Sequence, residues 1–168
     1  MKIQTDDLKV LVIEEEAIDY YIDFINLIKR TMDYPEYLGD FSESDLIHIL
    51  NINGIILMYR YGNITASSCM MIPARSDDIK KMGLKLDSDK VMDYGPMAVF
   101  DDYRGNKIQK YMIRQCDKLS KDFGYKYAVT TVHPDNIYSI HNIEESGFSY
   151  VGEVEFSRGK RKVYQKTL

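Results

Sequence analysis

Arg104-Gly105-Asn106-Lys107-Ile108-Gln109 is the stretch whose residue types and spacing point most directly to a ligand. It follows an apolar run that ends in Met97-Ala98-Val99 and precedes apolar residues at helical spacing, Ile108, Met112, Cys116, Leu119 and Phe123. The stretch therefore reads as a turn that leads from a strand into a helix. The first N–H groups of such a helix have no partner within it and lie at the positive end of its dipole, where anions bind. Gly105 allows a phosphate to come close to the backbone, and Arg104 and Lys107 can add charge-assisted contacts. The same residues also fit an ordinary turn with solvated cations, so the spacing alone leaves both readings open.

A second group lies downstream, in Val132-His133-Pro134-Asp135-Asn136 and Gly147-Phe148. Together, the two groups resemble the GNAT superfamily of N-acetyltransferases. Met97-Ala98-Val99 followed by Tyr103-Arg104-Gly105 looks like the apolar-x-apolar triplet and Arg-Gly-rich signature of that family. Here Lys107 stands at the second glycine position and Gln109 at the small third one. The downstream group is similar to the family's Pro-x-Asn element, with Gly-Phe entering the next strand. The two groups occur in the family's order, separated by a helix of the right length, and with their flanking elements they cover nearly the whole chain.

The resemblance implies an α/β fold (an α+β mixed central sheet with helices on both faces) and acetyl-CoA as cosubstrate, with no metal. The strands ending at Val99 and Val132 would splay, and backbone groups of Met97, Ala98 and Val99 would bond the pantetheine arm in the gap. Residues 104–109 (Arg104, Gly105, Asn106, Lys107, Ile108 and Gln109) would hold the pyrophosphate. Asn136 would face the same arm, a role compatible with capping a helix, and Ser139 and Asn142 would line that helix near the sulfur.

The implied reaction is direct attack of a neutral amine on the thioester, with an N–H near Val99 polarising the carbonyl. A base is needed, since an alkylamine of pKa ~10.4 is almost wholly protonated at neutral pH. Asp93 is one candidate, on the strand that carries acidic residues in relatives, although the nearest equivalent position is Gly95. His133 is a second candidate, by its pKa near neutrality. The tyrosine acid usual in the family falls at Ile143, which leaves Tyr138 or Tyr94 as substitutes. A module that binds acyl-CoA without turnover, acting as a sensor, is the alternative from another functional class. Neither GxxxxGK[ST] nor GxGxxG occurs, which argues against a nucleotide-binding enzyme.

The elements that must position these residues follow from periodicity. Ile18, Tyr21, Ile22, Ile25, Ile28 and Met32 predict an amphipathic helix that ends before Pro35. Ser42 and Asp45 predict the cap of a short second helix carrying Leu46, Ile47 and Leu50. Residues 55–61 and 64–72 read as a hairpin turned at Gly62-Asn63. A short helix over 76–82, stopped by Gly83, lies in the polar stretch 73–90, which together with the first two helices is expected to flank the acceptor. Strands over 91–99 and 127–132 enclose the helix closed by Gly124, which implies parallel neighbours. A helix capped at Asp135 or Asn136 bears Ile137, Ile140 and Ile143, and residues 148–156 and 161–167 form a terminal hairpin.

The length of 168 residues, with 45% hydrophobic and 29% charged, suits one soluble domain over 1–168. A net charge of −4 and a pI near 5.4 argue against binding to nucleic acid phosphates. The N-terminal residues lack a signal-peptide pattern and no apolar run approaches the ~20 residues of a membrane span, so a cytoplasmic setting without membrane contact is expected. Cys69 and Cys116, without CxxC spacing, read as two reduced buried thiols. The expected partner is a small-molecule or peptide amine, and the chain is expected to be a monomer or homodimer.

Overall fold

The computed structural model describes residues 2–168. Its elements in chain order are β1 (Lys9–Val12), α1 (Ile18–Thr31), α2 (Glu43–Asn51), β2 (Ile55–Tyr61), β3 (Ile64–Pro73), α3 (Ser76–Lys81), β4 (Val91–Val99), α4 (Ile108–Asp122), β5 (Tyr127–Val132), α5 (Ile137–Glu145), β6 (Ser149–Phe156) and β7 (Gly159–Thr167). The strands form one seven-stranded sheet in the order β1-β2-β3-β4-β5-β7-β6. Among the described residues only β4 and β5 pair in parallel, as a strand–helix–strand unit requires.

Strand alternation divides the apolar residues between two faces. Leu57, Tyr59, Met92, Tyr94 and Ala128 pack with Ile108, Met112 and Cys116 of α4 and Ile143 of α5. On the other face Ile56, Met58 and Met70 meet Ile18, Tyr21, Phe24 and Ile28 of α1 and Leu46 and Ile49 of α2. Val91, Val129 and Val163 are covered by Ile79 and Met82. Helices therefore cover both faces of the sheet.

Local chemistry explains the helix boundaries. The Ser42 side chain accepts from the Asp45 N–H at 3.2 Å while the Asp45 carboxylate accepts from the Ser42 N–H at 2.8 Å, a complete capping box. Hydrogen bonds from Ser42 hold the Asp45 carboxyl below its usual range. Asn136, rather than Asp135, caps α5, its side-chain oxygen accepting from the Ser139 N–H at 3.2 Å.

Some features differ from the periodic reading. Strand β1 was not expected from the sequence, because all four of its residues are exposed and show no alternation. Phe123 is 58% exposed and Ile137 64% exposed, so neither belongs to the buried stripe of its helix. Helix α4 buries Ile113 and Ser120 instead. In the β2–β3 turn only Gly62 takes a positive φ, at 59°. Cys69 and Cys116 are both buried and free, yet their sulfurs lie 3.6 Å apart across the β3–α4 packing.

One irregularity opens the sheet. β4 pairs with β5 only over Val91, Met92 and Asp93, against Tyr127, Ala128 and Val129. Just beyond, the register between β3 and β4 shifts around Gly95 and Pro96, and Pro96 has no N–H to give to a neighbouring strand. Thr130 bridges the start of the gap, its hydroxyl donating to the Tyr94 carbonyl at 2.7 Å. From there β4 runs on to Val99 with its β5-side edge unpaired.

Candidate active site

The unpaired edge forms one wall of a cleft of about 1070 Å³. This is slightly above the ~300–1,000 Å³ usual for small-ligand sites, as an extended ligand would need. Phe100 N–H donates to the Ala66 carbonyl of β3 at 2.9 Å. Alternation along the strand then turns the N–H and C=O of Met97 and Val99 away from β3, toward the cleft.

The turn after β4 lies at the mouth of the cleft. Gly105 has φ 79° and Lys107 φ 60°, so the lysine at a glycine position adopts the left-handed backbone that a glycine would take. The first helical bond of α4 is Tyr111 N–H to the Lys107 carbonyl at 3.0 Å, so the amides of Ile108, Gln109 and Lys110 precede the helical ladder. Arg104 lines the cleft while paired with Asp101 at 2.8 Å, and its Nε donates to the Val99 carbonyl at 3.4 Å. Since a left-handed conformation is unfavourable for a lysine, Lys107→Gly should raise the unfolding free energy by ~0.5–1 kcal/mol in chemical denaturation. A drop instead would show that the lysine side chain stabilises the turn.

Of the residues expected to hold the cofactor, Met97, Ala98, Val99, Arg104, Gly105, Lys107, Ile108, Gln109, Asn136, Ser139 and Asn142 all line this cleft. Asn106 is turned the other way: its side-chain oxygen accepts from the Ile3 N–H at 3.0 Å and its amide donates to the Tyr103 carbonyl at 2.9 Å. It ties the turn to the N-terminal segment. Gln109 is engaged on both sides, donating to the Ser139 hydroxyl at 2.8 Å and accepting from the Asn142 amide at 2.9 Å. These bonds latch α4 to α5 where the resemblance places a small residue.

A second, inner chamber of about 130 Å³ is lined by Asp93, Thr130, Phe41, Ile72, Arg158 and Arg161 among others. Tyr37, Leu38, Met97, Gln109, Asn136 and Ser139 line both spaces, which makes them the partition between the two. Burial pushes the Asp93 carboxyl up to about 7, although the nearby Arg158 charge works in the opposite direction. A carboxyl that titrates near neutrality can both take and release a proton at physiological pH.

The three expected catalytic residues do not share one chamber. Asp93 faces the inner one, whereas His133 and Tyr138 line the outer cleft. The His133 ring packs against Tyr37 at 4.8 Å between ring centres, tilted by 32°, and accepts the Asp135 N–H at 3.2 Å through Nδ1. Tyr138 is 81% exposed. The Tyr94 hydroxyl is committed elsewhere, donating to Ser120 at 2.9 Å in the core.

Sequence reasoning missed Tyr37, Arg158 and Arg161. Tyr37 ends a single 3-10 turn opened by Pro35, and its hydroxyl is pushed above its usual range by burial and by Asp135, so it stays protonated at neutral pH. The arginines lie at the turn and start of the terminal hairpin and reach the chamber only through the tertiary fold. No residue of 73–90, the segment expected to flank the acceptor, lines either space, whereas Tyr37, Leu38, Gly39 and Phe41 line the inner one. Among the described residues no three His, Cys, Asp or Glu side chains gather as a metal group, and no helix is long and apolar enough to cross a membrane.

No protein-family model and no curated protein matches the chain. Solved structures do. An acetyltransferase of the GNAT family from Streptococcus pneumoniae superposes with a TM-score of 0.71 at 13% identity, covering 96% of this chain and 99% of that one. An N-acetyltransferase from Staphylococcus aureus Mu50 gives 0.73 at 11% identity, with 95% and 98% covered. AAC(6')-Ib in complex with paromomycin and acetyl-CoA gives 0.70 at 12% identity, with 95% and 93% covered. The chain has the GNAT fold.

Proposed function

We propose that this chain transfers the acetyl group of acetyl-CoA to a primary amine by direct attack in a ternary complex. The observation that carries the reading is the open β4 edge at Met97–Val99, continuous with the free amides at the start of α4 and joined to a chamber that contains Asp93. AAC(6')-Ib, a protein of the same fold, was solved with acetyl-CoA beside an aminoglycoside, which supports a small-molecule amine as acceptor.

The residues present fit such a ligand. Backbone groups of Met97 and Val99 would bond the pantetheine amides, whereas those of Ala98, expected to join them, are turned to β3; Asn136 and Ser139 stand on the opposite wall. The α4 amides, Gly105, Arg104 and Lys107 would take the pyrophosphate. Bound acetyl-CoA supplies a thioester, whose carbonyl carbon is the electrophile. Asp93 accepts a proton from the acceptor ammonium, and the freed nitrogen lone pair attacks that carbon. The new C–N bond forms as the C–S bond breaks, while the Val99 N–H stabilises charge on the carbonyl oxygen. Tyr37, on the partition between the chambers, is the donor we assign to the departing sulfur; the second proton lost by the attacking nitrogen restores the Tyr37 hydroxyl, and the proton on Asp93 passes to solvent.

Steady-state thiol release from acetyl-CoA over a panel of primary amines tests the reading. Amine-dependent release above hydrolysis is the expected result. CoA binding with no release for any amine would favour a binding module, a reading to which the buried Ile143 at the tyrosine position also points. Arg104→Glu should weaken CoA tenfold or more, ~1.4 kcal/mol, while pantetheine, which has no phosphate, binds within about twofold of wild type. Equal losses for both ligands would show that Arg104 acts through the fold of the turn.

A further inference from the structure

The inner chamber has an unusual charge arrangement. Two of the three charged side chains that line it are guanidiniums, Arg158 and Arg161, and the third is Asp93. Arg161 is only 2% exposed, and its hydrogen bonds go to two backbone carbonyls, Lys160 at 2.8 Å and Glu36 at 3.0 Å. Arg158 is exposed and lies over the Phe156 ring at 5.9 Å, and Arg161 feels the charges of Glu36 and Glu155, but neither arginine makes a direct ion pair among the described residues. A buried guanidinium without a counter-ion is costly, and folded proteins normally compensate it with a carboxylate.

Arg158 approaches from the hairpin turn. One of its guanidinium nitrogens lies 2.5 Å from where a Gly39 Cβ would stand, so the side chain packs against the loop at that glycine. The charges of Arg158 and Asp93 act on each other, as do those of Arg158 and Arg161. Positive charge thus converges on one side of the chamber and a carboxyl faces it. The volume of about 130 Å³ is close to the ~150 Å³ that holds a six-heavy-atom ring in an engineered protein cavity.

We infer that the inner chamber takes a small amino acid, its carboxylate held by Arg158 and Arg161 and its amino group turned to Asp93. A planar carboxylate matches the guanidinium fork, and supplies the direct ion pair that the buried Arg161 lacks. Alanine has six heavy atoms and valine eight, which fits the space, and Phe41, Leu38 and Ile72 give an apolar wall for the side chain. This rests on the acetyl-transfer reading for its chemistry, and narrows the acceptor from amines in general to those with an adjacent carboxylate.

Calorimetry on the whole chain, with and without saturating CoA, tests the inference using L-alanine, L-valine and their primary amides as probes. Thiol release from acetyl-CoA is then followed with the same four compounds. The acids should bind at least 30-fold more tightly than the amides. Arg158→Gln should weaken the acids at least tenfold, bring acid and amide close to parity, and leave CoA affinity unchanged. Arg161 is a poorer target, because its bond to the Glu36 carbonyl ties the hairpin to the 37–41 loop region.

Amides binding as well as acids, a preference that survives Arg158→Gln, or no binding of any probe would each overturn the inference. CoA titrated separately distinguishes the two claims. Preference for acids without CoA binding would uphold the chamber's specificity and sink acetyl transfer, whereas CoA binding without the preference would do the reverse.

Discussion

Asp93→Asn is expected to lower kcat for amine acetylation by roughly 10²–10⁴-fold, the usual contribution of a positioned general base. Acetyl-CoA affinity should change little, because Asp93 faces the inner chamber and not the cleft beside α4. The wild-type rate should rise with pH through an inflection near 7, where the carboxyl titrates. The Asn variant should lose that inflection. Full activity with an unchanged profile would remove Asp93 from the mechanism and leave the proton to another route.

The same substitution should stabilise the folded protein at alkaline pH. The Asp93 carboxyl is raised from 3.8 to about 7 by burial, so the folded state holds the proton more tightly than the unfolded chain. The stability that comes from the protonated form is complete below pH ~4 and is lost as pH rises through about 7. At ~1.4 kcal/mol for each unit between the two values, wild type forfeits up to ~4 kcal/mol by pH 8. Asn cannot ionise. The gap between Asp93→Asn and wild type should therefore widen in favour of the variant from pH 4 to pH 8, measured by urea denaturation. A gap independent of pH would mean that Asp93 titrates normally. Gain of stability with loss of rate is the pattern of a strained catalytic group.

Helical periodicity and β-prone runs between turn residues were sound guides wherever an element buries a face. Helix α1, the β2–β3 hairpin, β4 and β5 all lie within a residue or so of their expected ranges: α1 has one buried stripe, and the strands, buried on both faces, are β-prone runs bounded by turns. They failed for β1, an exposed edge with no pattern to read, and at Phe123 and Ile137, where the helix stripe runs past the last residue the core can cover. The outer cleft was largely legible, since the strand–turn–helix run from Met97 to Gln109 is continuous in the chain. Side-chain direction was not. Asn106 and Gln109 stand in that run, but their partners, Ile3 in one case and Ser139 and Asn142 in the other, lie far away in sequence. The inner chamber was invisible for the same reason: Arg158 and Arg161 lie more than sixty residues beyond Asp93 in the chain, and only the antiparallel β5–β7 pairing brings β7 beside the strand next to β4.

Lys107 and Gln109 show how this turn departs from the glycine-rich pattern it resembles. Lys107 keeps the backbone conformation and adds a charge, whereas Gln109 fills the space a small residue would leave and spends its amide on α5. The gap above β4 thus remains open while the two helices that flank it are held together.

The most direct test of the central claim, that the opening between β4 and β5 holds an acyl-CoA, is the thermal stability of the purified protein with CoA or acetyl-CoA, set against NAD and ATP. At a concentration of about 100 times the dissociation constant, a ligand specific to the folded state adds ~2.7 kcal/mol, which for a chain of this size is roughly 5–11 °C in Tm. The account predicts that shift for CoA and acetyl-CoA, and none of comparable size for NAD or ATP. No shift at saturating acetyl-CoA, or an equal shift with ATP, would contradict it.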